Sequence, residues 1–456
     1  MESDAKPITT PEEKTWAIGQ PRQAHKSKVG FYLVLTYLVF EFARPQELLP
    51  GIKLVPIGAG LSVLIFLNVL MSGKVDFSRL QTKLWLPLLA VMAIHVPIAV
   101  NNYWALMTFK NMLLLYCVYL GILTFVDSLE KMSMLIKMWL GIHVFLALMG
   151  ISRGGKGIGS WMGDENDFCM VMNMAVPFGY FLVFSATSVS QKMKYLGCLG
   201  SFILAAMASL SRGGFFGLAA AGIYCWYRSP KKLNALIVVA VAVLFMLMLA
   251  PEKYWDEISS STSDQTMSTG TGAARLYTWG IGMDMFYENP IIGIGQGNFP
   301  WTFSIYEHGQ TFNDRSFGGR AAHSAWVTLI SELGLAGIVI IGAMLLQCYM
   351  DLKLVRKRFA PAPSRQKHGQ IVQAGEDMRA YFARAMEGSL IGFIVSGIFI
   401  SIMWYPSLWI MMALIVALRN ISETQSEGAI PAAAPTKHPW EGIPLPRLGE
   451  RPVSHL

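Results

Sequence analysis

The stretch AAHSAWVTLISELGLAGIVIIGAMLL, residues 321–346, decides how this chain is read. It is apolar for about as long as the roughly 20 residues that a helix needs to cross a bilayer. Yet a histidine, His323, stands at its head, and a carboxylate, Glu332, lies about 13 Å further in on a helix rising ~1.5 Å per residue. A span that served only as an anchor would carry neither, because an ionisable group in a membrane is costly and marks a function or a specific partner. Just upstream, ARLYTWGIGMDMFYENPIIGIGQGNFPW (274–301) reads as an amphipathic helix stopped by Asn289-Pro290 and followed by a glycine-rich turn. Pro251 to Met350 therefore holds the one long polar interval between two strongly apolar helices, and the rest of the chain reads as its frame.

Of the 456 residues, 53% are apolar and only 14% are charged, where a soluble domain carries about 25%. The class is all-α, a polytopic membrane protein. Its 42 Gly and 27 Met suit close helix packing in lipid. The net charge of +8 does not argue for nucleic acid, because the Lys and Arg residues fall mostly in short segments between apolar runs. The five cysteines, Cys117, Cys169, Cys198, Cys225 and Cys348, stand singly, without the spacing of a metal site or a disulfide framework. No metal and no cofactor is expected. Met1 to Lys28 lacks the apolar core of a removable signal peptide.

Read at bilayer length, the chain offers about twelve transmembrane helices, near 30–48, 54–71, 84–100, 108–126, 132–150, 168–187, 195–210, 213–228, 233–250, 322–350, 387–403 and 405–419. The pairs 195–210 with 213–228 and 387–403 with 405–419 read as tight hairpins. Basic residues alternate along this list, which gives a cytoplasmic segment 1–28, nine spans in 29–250, a periplasmic loop 251–321 with short helices, three spans in 322–419 around a cytoplasmic loop 351–386, and a disordered cytoplasmic tail 420–456. Arg44, Lys110, Arg153, Lys156, Arg212, Lys253, Arg275, Arg315 and Arg320 then stand on the poorly basic side, where orientation does not require them. No repeat of fixed period and no inverted pair of broken helices is visible.

Two glycine patterns fail as phosphate loops. Gly150 to Gly157 has Gly157 where a Walker motif needs a hydroxyl, and Asn298 stands where a dinucleotide fold needs its third glycine. Gly163-Asp164-Glu165-Asn166-Asp167 reads first as a helix cap, with a divalent-metal pair as the alternative and Asn166 as a residue that can face substrate. In Ser209-Leu210-Ser211-Arg212-Gly213-Gly214, a guanidinium sits at the membrane surface among glycines and hydroxyls. It suits an anionic phosphate head group, and snorkelling to the interface is the alternative. Arg275 opposes the dipole of the helix it begins and so needs another reason for its place. His323 suits a general base. Glu332 needs a partner, either Arg212 or a bond between helices.

The order of SRGG at 211–214, R-x-x-x-W at Arg275 and Trp279, NP-x-x-G-x-G-x-G-x-F at 289–299, and HS-x-W with E-x-G-x-x-G at 323–337 resembles the O-antigen ligase and polymerase superfamily. The resemblance covers roughly residues 195–345. It implies an enzyme of the bacterial inner membrane that moves a glycan from undecaprenyl diphosphate to an acceptor at the periplasmic face: lipid A core for a ligase, a growing chain for a polymerase, a protein hydroxyl for an O-oligosaccharyltransferase. It also implies Arg212, Arg275 and His323 as the catalytic positions. Arg153, Asn166, Arg320, Ser211, Trp279 and Glu332 are expected around the substrate. The chain departs from the family pattern in Ala321-Ala322 before His323, in Ser324 after it, and in the segment Asn313 to Arg320, which leaves the acceptor open. The ligase reading comes first, and a twelve-helix transporter is the rival from another class. The expected partners are the lipid-linked donor, a glycan or lipid acceptor and membrane lipids, with no nucleic acid.

Overall fold

The computed structural model describes residues 28–49, 51, 56–159, 162–229, 232–233, 271–307, 309, 312, 316–360, 366–367, 370–371 and 377–427. Within these the chain is helical, apart from a two-residue strand pair, β1 (Gln366–Lys367) against β2 (Gln370–Ile371). The helices are α1 (Lys28–Leu38, prolonged by a π-helical turn Val39–Ala43), α2 (Pro45–Leu48), α3 (Ile57–Ser72), α4 (Leu80–Ile98), α5 (Asn102–Phe125), α6 (Leu129–Ser152), α7 (Glu165–Ser185), α8 (Val189–Ala208) and α9 (Arg212–Arg228). They continue with α10 (Thr271–Glu288), α11 (Phe299–Tyr306), α12 (Ala325–Arg358), α13 (Met378–Ser396) and α14 (Pro406–Glu427). Polar residues set many of the starts: the side chains of Asn101, Ser128, Asp164, Ser188, Ser211, Ser324 and Asp377 each accept a backbone N–H at the head of the helix that follows.

Six helices are long and apolar enough to cross a membrane among the described residues: α4, α5, α6, α7, α12 and the Pro406–Thr424 part of α14. The expected count of about twelve is therefore reached only in part. Most of the span expected near 233–250 lies outside the described residues, as do most of the first segment, the start of the loop with Lys253, Arg315, and most of the tail. Three further helices, α1, α3 and α9, are too short. Gln191, Lys192 and Lys194 dilute the apolar run of α8, and Arg379, Arg384 and Glu387 that of α13.

The core is built around α7 and α14. Every residue of α7 from Asp167 to Leu182 is buried, against α8, α9 and α13. In α14, Leu408 through Leu418 are all buried, with α5, α12 and α13 as neighbours. The outer helix α3 instead leaves Leu64, Leu67, Leu70 and Met71 exposed, the pattern of a surface facing hydrocarbon rather than water. Segment 271–322 has a separate small core of Ile281, Met285, Phe299, Phe303, Tyr306, Phe317 and Ala322.

A network of shared ion pairs lies at one end of the bundle. Arg79 at the head of α4 pairs with Glu423 near the end of α14; Arg419 reaches Asp351 and Glu423; and Arg228 and Arg356 share Glu387. The opposite end collects the heads of α7, α9 and α12 together with α10 and α11.

The long apolar helix α12 is broken. Gly334 has φ 57° and ψ −151°, far from helical values, and the glycine-rich turn after α10 fills the gap. In an unbroken helix the N–H groups of Leu335 and Ala336 would donate to Ser331 and Glu332. Here they donate to the carbonyls of Pro290 (2.8 Å) and Ile291 (2.9 Å), while those of Ser331 and Glu332 accept from Ile294 (3.0 Å) and Gly295 (2.9 Å). Backbone groups freed within a membrane span must find partners in protein, and the turn supplies all four. Main chain approaches main chain so closely that a Cβ on Gly334 would lie 2.7 Å from the Pro290 oxygen, and one on Gly293 would lie 2.5 Å from the carbonyl carbon of Glu332.

Candidate active site

Four stretches far apart in sequence meet at this opposite end: the head of α7, the α8–α9 turn, the first turns of α10 and the residues before α12. Asp164 caps α7, and its Oδ1 accepts from the backbone N–H and the side-chain amide of Asn166, both at 2.8 Å. The capping reading of this acidic cluster is what the geometry shows. Asn166 Oδ1 accepts in turn from the hydroxyl of Ser211 (2.6 Å), and Ser211 Oγ accepts from the Gly214 N–H (2.8 Å). Asp164, Asn166 and Ser211 thus form a hydrogen-bonded relay that ends beside Arg212, the first residue of α9. On the far side, the amide of Asn173 donates to the Gly214 carbonyl (2.8 Å) and ties α9 to the buried centre of α7.

Arg275 and His323 reach the same place from the loop. The indole of Trp279, one turn beyond Arg275, donates to the carbonyl of Ala322 (3.0 Å), the residue before His323. Ala325 N–H donates to the Gly397 carbonyl (2.7 Å), which fixes the head of α12 against the end of α13. His323 has φ 49°, and Leu210, just before the Ser211–Arg212 turn, has φ 50°. Side chains rarely adopt this left-handed conformation, and when they do the strain is often held at functional sites.

The electrostatics join these pieces. Partial burial and then the charge of Arg212 weaken the hold of Arg275 on its proton, while Asp164 opposes them. The imidazole of His323 has its pKa lowered from the ordinary 6.5 by partial burial first, then by Arg275, with Asp164 acting against the shift and Arg320 adding to it. Arg212, Arg275, His323, Arg320 and Asp164 therefore share one local field. A basic site with a neutral imidazole at its rim can bind a doubly charged anion and accept a proton from a hydroxyl beside it.

The other expected residues divide. Arg320 is exposed and lies over the Phe317 ring at 4.4 Å. Arg153 is exposed at the end of α6, in a turn whose Gly155 lies against the backbone of Ala208 and Ser209. Ser211 and Asn166 bond to each other, and Trp279 bonds to Ala322, so these three brace the site. Glu332 is buried, and its carboxylate accepts from Gly297, Phe299 and Trp404. Arg212, one partner that the sequence suggests for it, is not among these donors. Asp164 is the residue that the sequence reading missed as an electrostatic member of the site. Its place two residues before Asn166, at a helix head facing unneeded arginines, was the available signal.

No curated protein matches the chain. Residues 197–342 match the family described as O-antigen ligase, a segment that contains Ser211, Arg212, Arg275, the turn inserted into α12, His323 and Glu332. That match covers 146 of the 456 residues and supports the O-antigen ligase superfamily.

Proposed function

We propose that the protein is an O-antigen ligase-like glycosyltransferase that moves a glycan from undecaprenyl diphosphate to lipid A core or a similar acceptor. The observation that carries this reading is the convergence of Arg212, Arg275 and His323, from three separate stretches, in one field balanced by Asp164. In the reaction, the acceptor hydroxyl oxygen attacks the anomeric carbon from the face opposite the diphosphate. The bond from that carbon to the diphosphate oxygen breaks, its electron pair leaves with the diphosphate, and the configuration inverts. His323 takes the hydroxyl proton. Arg212 and Arg275 meet the negative charge growing on the leaving group, where preorganised donors are worth most because they need no rearrangement as the charge forms.

The topology that accompanies this reading has about twelve spans in the inner membrane and the site facing the periplasm. Its support is the separation of the ion-paired end, at Arg79, Arg228, Arg356 and Arg419, from the end that holds the site. Elongation of a glycan by a polymerase uses the same chemistry with a different acceptor, and so does transfer to a protein hydroxyl. A transporter would place its charges near the bilayer midplane, whereas these lie at helix heads. The test is transfer by the purified protein in proteoliposomes supplied with undecaprenyl-diphosphate-linked glycan. Arg212→Ala or His323→Ala at wild-type rate would refute the mechanism. Deleting the protein in its host separates the acceptors: lipopolysaccharide without long glycan means a ligase, a single unit means a polymerase, and loss of a glycoprotein alone means a protein transferase.

A further inference from the structure

Glu332 is 2% exposed, and its carboxylate is filled by the protein. Oε2 accepts from the Gly297 N–H and the Trp404 indole, both at 2.8 Å, and Oε1 accepts from the Phe299 N–H at 3.0 Å. Three donors converging on one side chain need a group that only accepts, which among buried side chains means a carboxylate. One donor, Gly297, belongs to the turn seated in the gap of α12, and a second, Phe299, opens α11 directly after it; that turn starts where α10, the helix bearing Arg275, ends.

We propose that Glu332 is a positioning residue: by clamping the 289–299 turn into the broken helix, it sets where α10 presents Arg275 to the lipid diphosphate. The inference rests on the functional reading given above for Arg275. A purely structural role is the alternative, and the remaining anchors of the turn separate the two. Gln296 donates to the carbonyls of Met92 (2.8 Å) and Ala105 (3.0 Å), and Asn298 Oδ1 accepts from the Asn101 N–H (2.7 Å). These bonds hold the turn against α4 and α5 without Glu332. Losing the clamp therefore leaves the turn and the fold standing and removes only the fine placement that Glu332 adds.

The experiment is a double-mutant cycle in proteoliposomes, with Glu332→Ala, Arg275→Ala and the pair, and undecaprenyl-diphosphate-linked glycan as donor. Glu332→Ala is expected to lower kcat by about 10- to 100-fold, the scale of a small misplacement of a catalytic group, with KM nearly unchanged. In the Arg275→Ala background the same change is expected to cost less than about threefold, because residues acting through one another do not multiply. Losses that multiply would overturn the proposal. So would a raised KM with unchanged kcat, which returns Glu332 to direct substrate contact. Full activity of Arg275→Ala alone would instead overturn the functional reading. If Glu332→Ala does not accumulate, Trp404→Phe removes one donor from the clamp and runs the same cycle. A kcat loss that disappears in the Arg275→Ala background supports the proposal, and one that persists there overturns it.

Discussion

Replacing Gly293 by alanine tests the seat of the turn without touching any charged group. Two costs add. Gly293 has φ +78°, a left-handed conformation that costs an L-residue about 1–2 kcal/mol. The new methyl would also lie 2.5 Å from the carbonyl carbon of Glu332 and 2.6 Å from its oxygen and from the Leu333 nitrogen. All three are main-chain atoms that cannot rotate aside, and overpacking of this kind costs about 1–3 kcal/mol. The sum is about 2–5 kcal/mol. Gly73→Ala is the matched control: its φ is +63° and nothing lies within 4 Å, so only the conformational part, ~1–2 kcal/mol, applies. Thermal unfolding of both purified variants in mild detergent, alongside glycan transfer, reads the difference. If Gly293→Ala melts no lower than Gly73→Ala, the turn is not seated as described and the account of the broken helix fails.

Other outcomes follow from the site. Arg212→Ala and Arg275→Ala should each lower kcat by about 10²–10³-fold, the usual cost of removing one preorganised donor to a developing charge, with the lysine replacements falling between; steady-state transfer assays decide this. Because the folded pKa of His323 lies below its ordinary 6.5, the folded state binds fewer protons than the unfolded state in the window just below pH 6.5. Its contribution to stability is thus complete above that pH and is lost as pH falls through the window, and the acid limb of kcat/KM lies on the acid side of 6.5. Asp164→Asn removes the charge that favours the imidazolium and should move that limb further down, visible in a pH–rate profile. Asn166→Ala should cost about 1 kcal/mol for its lost bonds and lower kcat, whereas Asn166→Asp keeps the acceptor for Ser211 and should recover part of the rate.

Much of this arrangement can be read from residues alone. Apolar runs and polar caps located most of the helices, and Asn289-Pro290 marked the end of α10, because a proline and a helix stop act locally. The arginines that orientation does not require include Arg212 and Arg275, which the fold brings into one field. The break in α12 was hidden, since Gly334 sits in LGLAG, where glycine is ordinary in a membrane helix and nothing nearby announces a guest. The role of Glu332 was hidden for the same reason: two of its partners are backbone N–H groups, which every residue but proline possesses. Asp164 reads as a cap, which it is, and its second role depends on charges brought from three other stretches.

The seat of the turn also bears on how the chain is assembled. The turn is synthesised before its receptor: Gly297 precedes Glu332 by 35 residues and Phe299 by 33. While α12 is entering the membrane, its own carbonyls and N–H groups can satisfy one another as a straight helix. The break can form only when the waiting turn arrives to exchange partners with residues 331–336. Closure of that junction therefore follows synthesis of both segments.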